Sequence, residues 1–203
     1  MRIRLVGGVV LALCPGVMAA QAQSLADMVR RHGPIELALI RDGGPVELHE
    51  LVKASEIIAR GRVVGLKSFE SRQGSSAVIV TDYVVDVLDI LHQQLVPLRQ
   101  AGDQIVVRRD GGELTVENVT VRAYVPDFPA WEIGEEYVLA LREDPKTKTF
   151  AVMYDGQGAF RIGSDWVARQ VRHIQGETPE ERTRVDLPVD ELRSLIVTLG
   201  AQP

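Results

Sequence analysis

Alternation of apolar and polar positions is densest between Ala77 and His92, where the chain reads AVIVTDYVVDVLDILH. Mostly apolar side chains fill one alternating set of positions, and Asp82 and Asp86 interrupt the other set. Valine, isoleucine and tyrosine in such a run suit a pleated strand that is buried on much of both faces. The pattern therefore predicts a long central strand over residues 77–92.

Shorter extended patterns surround this strand and predict a sheet. The stretch Ile57–Phe69 precedes it, and Gly61 and Gly65 within that stretch indicate the bends found in small closed barrels. A polar loop at 70–76 returns the central strand antiparallel to the first one. The other predicted strands cover residues 104–109, 114–125 with a bulge near Asn118, 135–142, 149–154, 159–162 and 164–174, the last of which also fits a helix.

Three segments have helical spacing instead. Ser24 is placed to cap a helix over Leu25–Arg31, with Asp27 at the capping-box position. A second helix is predicted over 46–54. The clearest helix is Pro188–Leu199, where proline comes first and two acidic residues follow. Its apolar face, which should dock on the sheet, comprises Val189, Leu192, Leu195, Ile196 and Leu199.

These elements predict a mainly β fold, a small antiparallel Greek-key barrel of the OB type with N-terminal and C-terminal helical additions. The predicted organisation is a leader at residues 1–22, an N-terminal helical segment at 23–55, the barrel domain at 56–175, and a linker with the C-terminal helix at 176–203. The sequence contains no internal repeat and no low-complexity tract.

The first 22 residues have the features of an export signal. Arg2 and Arg4 form a basic start, an apolar run follows to Leu13, and Ala20-Gln21-Ala22 has the small-x-small pattern of a cleavage site. The apolar run is shorter than the roughly 20 residues that a spanning helix needs. We expect cleavage after Ala22 and a periplasmic or secreted protein, with no membrane span in the mature chain.

The only cysteine, Cys14, lies inside the predicted leader. The mature chain is therefore expected to have no disulfide, no thiol chemistry and no cysteine metal site. A lipid anchor on Cys14 is disfavoured because Leu13 is bulky where lipoprotein signals carry a small residue. The full chain has 23 basic and 28 acidic residues, and the leader contains two of the basic ones. This acidic balance argues against binding to nucleic acid or to anionic membranes.

Three segments carry a resemblance to a known fold: ASEIIARGRVVGL at 54–66, YVVDVLDILH at 83–92 and GEEYVLALR at 134–142. The order and spacing of these segments resemble those of the strands in the netrin-like or TIMP-like OB fold. Bacterial exported proteins of unknown role also look like this, often with a QG-x-FR segment such as Gln157–Arg161. The resemblance implies the fold over about residues 54–162. It implies no protease inhibition, because the animal inhibitors use an N-terminal cysteine that this mature chain lacks.

Motifs for catalysis or cofactor binding are missing or incomplete. His49-Glu50 begins a zincin HExxH motif, but Lys53 stands where the second histidine ligand is needed. No serine lies in a G-x-S-x-G elbow. Gly156-Gln157-Gly158 lacks the third glycine of a dinucleotide fingerprint. The sequence therefore predicts no catalytic residue, no cofactor and no metal site.

Two groups of residues are candidates for binding. Tyr124, Phe128 and Trp131 surround a proline-stiffened loop, and aromatic side chains on a rigid loop make good anchors for a partner. Arg108 and Arg109 precede a glycine turn, where an exposed basic pair suits an acidic partner. The alternatives are that the aromatic rings seal the end of a barrel and that the arginines belong to a solvated hairpin.

These patterns favour an exported, non-enzymatic binding or accessory protein whose partner is another envelope or secreted protein. Two alternatives stay open: an exported hydrolase with an active site that matches no motif, and a carrier of a small carbohydrate or lipid. A pocket that combined Asp82, Asp86, His92 or His173 with nearby serines would favour the hydrolase. An open, ligand-sized barrel interior would favour the carrier. The sequence leaves the oligomeric state open.

Overall fold

The computed structural model describes residues 2–5, 24–40, 46–74, 76–94, 99–125, 128–171 and 186–201. These residues form a mainly β protein with three α-helices. Among them, no helix is both long and apolar enough to cross a lipid bilayer. The predicted cleavage site after Ala22 lies outside the described residues, as do Cys14, His173 and most of the linker predicted to begin at residue 176.

The helices begin and end close to the predicted positions. They are α1 (Leu25–His32), α2 (Leu48–Ala54) and α3 (Val189–Gly200). The strands are β1 (Arg2–Leu5), β2 (Glu36–Ile40), β3 (Ile57–Gln73), β4 (Ser76–Gln93), β5 (Gln104–Asp110), β6 (Gly112–Val116), β7 (Val119–Tyr124), β8 (Glu136–Glu143), β9 (Phe150–Val152), β10 (Ala159–Ile162), β11 (Val167–Gln170) and β12 (Leu187–Pro188). The long central strand predicted over 77–92 is confirmed as β4.

The chain divides into two compact units, each assembled from three stretches. Unit 1 comprises residues 1–41, 67–82 and 109–126, and unit 2 comprises residues 42–66, 83–108 and 127–203. The long strands β3 and β4 therefore supply residues to both units. The units are interleaved along the chain, whereas the sequence predicted consecutive segments, because strand pairing joins residues that are far apart in sequence.

Unit 1 contains a four-stranded sheet in the order β1-β2-β7-β6. β1 and β2 are antiparallel, whereas β2 and β7 are parallel. β6 and β7 form a hairpin whose turn residues, Glu117 and Asn118, both have positive φ. The prediction of one strand with a bulge near Asn118 is therefore wrong, because two successive left-handed residues reverse the chain.

The N-terminus of α1 has the predicted capping box. The Ser24 hydroxyl accepts a hydrogen bond from the backbone N–H of Asp27 at 3.1 Å, and the Asp27 carboxylate accepts one from the Ser24 N–H. Both bonds satisfy donors that the first turn of a helix leaves unpaired. Arg30 then donates from Nε to Glu117 at 3.0 Å and ties α1 to the β6–β7 turn.

The strands of unit 2 lie in an eight-stranded sheet, which has the order β12-β11-β10-β8-β3-β4-β5-β9. β8 pairs antiparallel with β3, β10 and β9, and β9 also pairs in parallel with β5 through Val107 and Phe150. The sheet is mixed and is not a closed antiparallel barrel, so the predicted architecture is confirmed only as mainly β. The alternation of apolar and polar residues within one strand does not show which distant strand pairs with it in parallel.

Helices α2 and α3 cover one face of the sheet within unit 2. Leu192 and Ile196 of α3 are buried, whereas Leu195, predicted for the same face, is exposed. Adjacent helical residues are about 100° apart, so Leu195 lies at the margin of the apolar stripe that contains Ile196. The buried cluster beneath the helices comprises Leu51, Val52, Ile58, Leu91, Val138, Ala140, Met153, Phe160, Ala168, Val189, Leu192 and Ile196.

Candidate binding surface

The aromatic loop predicted as a binding anchor is buried in unit 2. Trp131 is only 2% exposed, and Phe128 is also buried. The Trp131 ring stacks on Tyr137 with centroids 4.7 Å apart, and its centroid lies 5.0 Å from that of Tyr83 and 6.3 Å from that of Phe128. Rings packed in this way stabilise a core. Their burial favours the alternative that these aromatic residues seal the interior rather than contact a partner.

A left-handed turn makes room for the ring of Phe128. Tyr154, Asp155 and Gly156 have φ values of 50°, 55° and 104°. A Cβ atom on Gly156 would lie 2.5 Å from Cδ1 of Phe128 and 2.8 Å from its Cζ. Glycine therefore suits this position both for its backbone conformation and for the ring that packs against it.

The QG-x-FR segment follows this turn and makes structural contacts in unit 2. Gln157 is buried, its Oε1 accepts a hydrogen bond from the Val46 N–H at 3.0 Å, and its carbonyl accepts one from a glutamine of β11 at 2.8 Å. Phe160 lies in the cluster beneath α2 and α3, and Arg161 pairs with Glu135 at 2.9 Å. These contacts show that the segment holds neighbouring elements of unit 2 together.

The remaining predicted binding residues are divided between the units. Tyr124 and Arg109 belong to unit 1, and Arg108 belongs to unit 2. Tyr124 is exposed, Arg108 is half-buried and Arg109 is buried. The prediction of an exposed basic pair is therefore wrong for Arg109, because its side chain follows the inward alternation of β5 together with Ile105 and Val107.

Trp166 lies in the segment 164–174, which the sequence predicts as a strand or a helix. It is 46% exposed, lies in the turn between β10 and β11, and has a φ of 60°, which is rare for a bulky residue. The Trp166 N–H donates to the Gly163 carbonyl and the Gly163 N–H donates to the Val167 carbonyl, both at 3.0 Å. These hydrogen bonds hold the turn in a conformation that leaves the indole ring accessible.

The guanidinium of Arg60 lies over the ring of Trp166, 5.3 Å from the ring centroid, and makes a cation–π contact. Nη1 of Arg60 is 3.9 Å from Oε2 of Glu136. Within the described part of the chain, Arg60 Nε and Glu136 Oε2 are buried and have no hydrogen-bond partner. The contact with the indole ring is therefore an important part of what positions Arg60.

The same face of β3 continues beyond Arg60. Arg62, Val64 and Leu66 follow at alternate positions and are all exposed, with Leu66 at 48%. Alternate strand residues lie on one face about 7 Å apart, so the row from Arg60 to Leu66 is about 20 Å long. We call these four residues and Trp166 the Trp166 surface, and all five belong to unit 2.

The centre of the Trp166 surface carries more positive than negative charge. The Glu136 carboxylate accepts a hydrogen bond from Arg62 Nε at 3.1 Å and also pairs with Arg60. One carboxylate thus faces two guanidinium groups, on a chain whose formal net charge is −5. This arrangement suits a partner that presents an acidic group beside apolar side chains.

Asp165, next to Trp166 in the chain, is held in its charged form by Arg169. Arg169 Nη1 donates to Asp165 Oδ1 at 2.9 Å, and this hydrogen bond lowers the pKa of the Asp165 carboxyl from its ordinary 3.8 to about 2. Because the folded pKa is lowered, the pair's contribution to stability is present above pH 3.8 and is lost as the pH falls toward 2.

An NMR titration of the side-chain carboxyl carbons should therefore give Asp165 an apparent pKa of about 2. Arg169→Gln should return that pKa toward 3.8, since it removes both the hydrogen bond and the charge. Asp144 provides an internal comparison, because its pKa is lowered mainly by hydrogen bonds from Lys146 and Thr147 and should not respond to Arg169→Gln. A pKa of 3.8 for Asp165 in the unmodified protein would contradict the pairing.

A tight turn at residues 132–135 lies beside β3 in unit 2. Glu135 Oε2 accepts a hydrogen bond from the Glu132 N–H at 2.9 Å and another from the Tyr137 hydroxyl. The Gly134 N–H donates to the Val63 carbonyl at 2.8 Å, and Ile133 is exposed at the tip. The turn therefore places another apolar side chain near the row that contains Val64.

The residues proposed for a hydrolase have other contacts where the structure describes them. Asp86 accepts a hydrogen bond from Gln104 at 2.8 Å, and His92 Nε2 lies 3.1 Å from the Gln94 amide. Desolvation by burial lowers the pKa of the His92 imidazole, whose ring packs against Gly200 of α3. No group of three or more His, Cys, Asp and Glu side chains in the described ranges is arranged to hold a metal ion.

A comparison with protein-family models finds no match, and neither does a comparison with curated proteins. Function must therefore be inferred from the side chains that the fold brings together. The sequence did contain a signal for the Trp166 surface. Val64 and Leu66 are apolar at positions that alternate in step with Arg60 and Arg62, on the side of β3 that a strand with one solvated face would keep polar.

Proposed function

We propose that this chain is an exported, non-enzymatic binding or accessory protein, and that its partner, another envelope or secreted protein, docks on the Trp166 surface. The observation that carries the proposal is the exposed indole of Trp166, stacked on Arg60 at one end of a row that continues through Val64 and Leu66. Tryptophan and arginine are enriched where protein interfaces gain most of their affinity.

The backbone conformation of Trp166 supports this proposal independently of its exposure. A bulky residue at positive φ costs of order 1–3 kcal/mol, and such residues cluster at functional sites. Glycine or asparagine would occupy this turn at lower cost. The indole of Trp166 is only partly buried and its backbone is strained, so this side chain contributes little to the core. A contact with a partner would explain why a tryptophan occupies this turn.

The fold that we propose for unit 2 is an OB-like arrangement of the netrin-like or TIMP-like kind. The order of strand pairs supports it: β3 pairs with β4, β4 with β5, β5 with β9 in parallel, β9 with β8, and β8 with β3. A five-stranded OB barrel has this connectivity. The β5–β9 contact consists of a single residue pair, so the sheet stays open along most of that seam.

Photo-crosslinking in cells tests the proposed surface directly. A photoreactive amino acid at Leu66 should give one discrete adduct with an exported protein, and the same probe at Val197 should give none. Val197 is a matched control because it is 51% exposed against 48% for Leu66 and lies on α3 of the same unit.

Trp166→Ala should lower the yield of the Leu66 adduct by about tenfold or more, as expected when a central aromatic anchor is lost. The free energy of unfolding should fall by only about 1–2 kcal/mol, because about half of the indole is already exposed to solvent and the rest of the loss is its cation–π contact. An undiminished adduct in the Trp166→Ala protein would contradict the proposed surface, and so would equal crosslinking from Val197.

A further inference from the structure

The outer edge of β2 in unit 1 is covered by a segment that the sequence predicts to be removed. β1 pairs antiparallel with β2 over four residues, with Arg4 opposite Ala38. β1 is Arg2–Leu5, which lies within the predicted leader at residues 1–22. If export removes that leader, β2 becomes an edge strand of the sheet β2-β7-β6.

The backbone groups that would lose their partner can be identified. The carbonyl of Ile35 accepts a hydrogen bond from the Arg122 N–H of β7 at 3.1 Å. The backbone groups of successive strand residues point to opposite edges of the strand. The N–H and C=O of Leu37, two residues after Ile35, therefore also point toward β7. The N–H and C=O of Ala38 face the opposite edge, where β1 lies. Ile40, which also pairs with β1, has the same orientation, so removal of the leader would leave the backbone groups of both Ala38 and Ile40 without a strand partner.

The β2 edge has few of the features that normally protect an edge strand. Its sequence, ELALI, contains no proline and no lysine, and Glu36 is its only charged residue. Leu37, Ala38 and Leu39 are all buried. An apolar edge with unpaired backbone groups is a template for pairing with another strand.

The sequence of β2 is also nearly symmetric about Ala38, with Leu37 on one side and Leu39 on the other. Two antiparallel copies centred on Ala38 would place Ala38 opposite Ala38 and Leu37 opposite Leu39 of the second copy. Glu36 would lie opposite Ile40, so no like charges would face each other. A two-fold axis requires such a self-complementary surface.

We infer that the processed protein forms a dimer in which β2 pairs antiparallel with β2 of a second copy and joins the two three-stranded sheets into one of six strands. The inference rests on the export processing in the proposed function, but not on the Trp166 surface. A contact of five residues per chain is small, so the dimer should depend on concentration. In the unprocessed chain, β1 pairs with the edge of β2 that the second copy would occupy in the dimer.

The test uses the protein purified after export from the full-length chain, with its N-terminus established by intact mass. Light scattering across a range of concentrations should show a shift from monomer to dimer. Amide hydrogen exchange should be slow at Ala38 in the dimer and faster at concentrations where the monomer dominates. Leu37 is the internal control, because its N–H faces β7 and should stay protected in both states.

A synthetic peptide with the sequence of residues 1–7, MRIRLVG, is the competing probe. In excess it should occupy the β2 edge and reduce the dimer fraction, whereas a peptide of the same composition in scrambled order should have less effect. The inference is overturned by a leader that stays attached, by a monomer at all concentrations with fast exchange at Ala38, or by a different co-purifying protein that protects Ala38. The Leu66 crosslink reports separately on the partner surface.

Discussion

Replacement of Trp131 by alanine is expected to lower the free energy of unfolding by about 3–5 kcal/mol, the range found when large buried aromatic side chains are truncated. Trp131 is among the largest fully buried side chains, and its ring contacts Tyr137, Tyr83 and Phe128. The substitution removes the centre of this aromatic cluster, and the neighbouring rings can fill the space only in part. Denaturant unfolding followed by far-ultraviolet circular dichroism measures the loss.

Trp131→Phe is the matched control, because it keeps an aromatic ring in the cluster and should cost less than half as much. The chain has two tryptophans, so both variants retain Trp166 as the only one. In Trp131→Phe the Leu66 crosslink should be unchanged. A Trp131→Ala protein with unchanged stability but no partner would reverse this interpretation and return Trp131 to the role of a binding anchor.

Replacement of Gly156 by alanine is expected to lower the free energy of unfolding by about 2–4 kcal/mol, from two causes that add. The φ of 104° strains any residue with a Cβ atom, at a cost of about 1 kcal/mol or more. The new Cβ would also overlap the ring of Phe128, which is buried and has little room to move, and such overpacking costs about 1–3 kcal/mol.

Gly134→Ala separates these two causes. Gly134 has a similar φ of 94°, but a Cβ there would meet no atom within 4 Å. It should therefore show the cost of the backbone conformation alone, and the difference between the two variants measures the collision with Phe128. Equal losses in Gly134→Ala and Gly156→Ala, measured by denaturant unfolding, would mean that the ring of Phe128 moves aside without cost.

Local patterns predicted much of the secondary structure because the forces behind them are local. The capping box of Ser24 and Asp27 joins residues three apart, and the alternation of β4 follows directly from the pleat of an extended chain. The same reasoning missed the hairpin turn at Glu117 and Asn118. There the apolar spacing predicts a bulge, although asparagine is among the residues that enter the left-handed region most easily.

The candidate binding site was predicted less well than the fold. Residue type made Phe128 and Trp131 candidates for binding, but an aromatic ring has the same sequence signature whether it packs in a core or contacts a partner. Residue type predicts an exposed Arg109, since arginine is usually exposed, although its position in the alternation of β5 points inward. The contact of Trp166 with Arg60 could not be predicted, because the two residues lie more than 100 positions apart in the chain.

By itself, the sequence determined what depends on nearby residues: the helices, the capping box of α1, the long strands β3 and β4, and the mainly β character of the chain. Only the tertiary structure decided which surfaces are covered. It paired β2 with β7 and β5 with β9 in parallel, buried Trp131 and left Trp166 accessible over Arg60. The physical reason is that burial and pairing depend on contacts between distant segments, which no local period records.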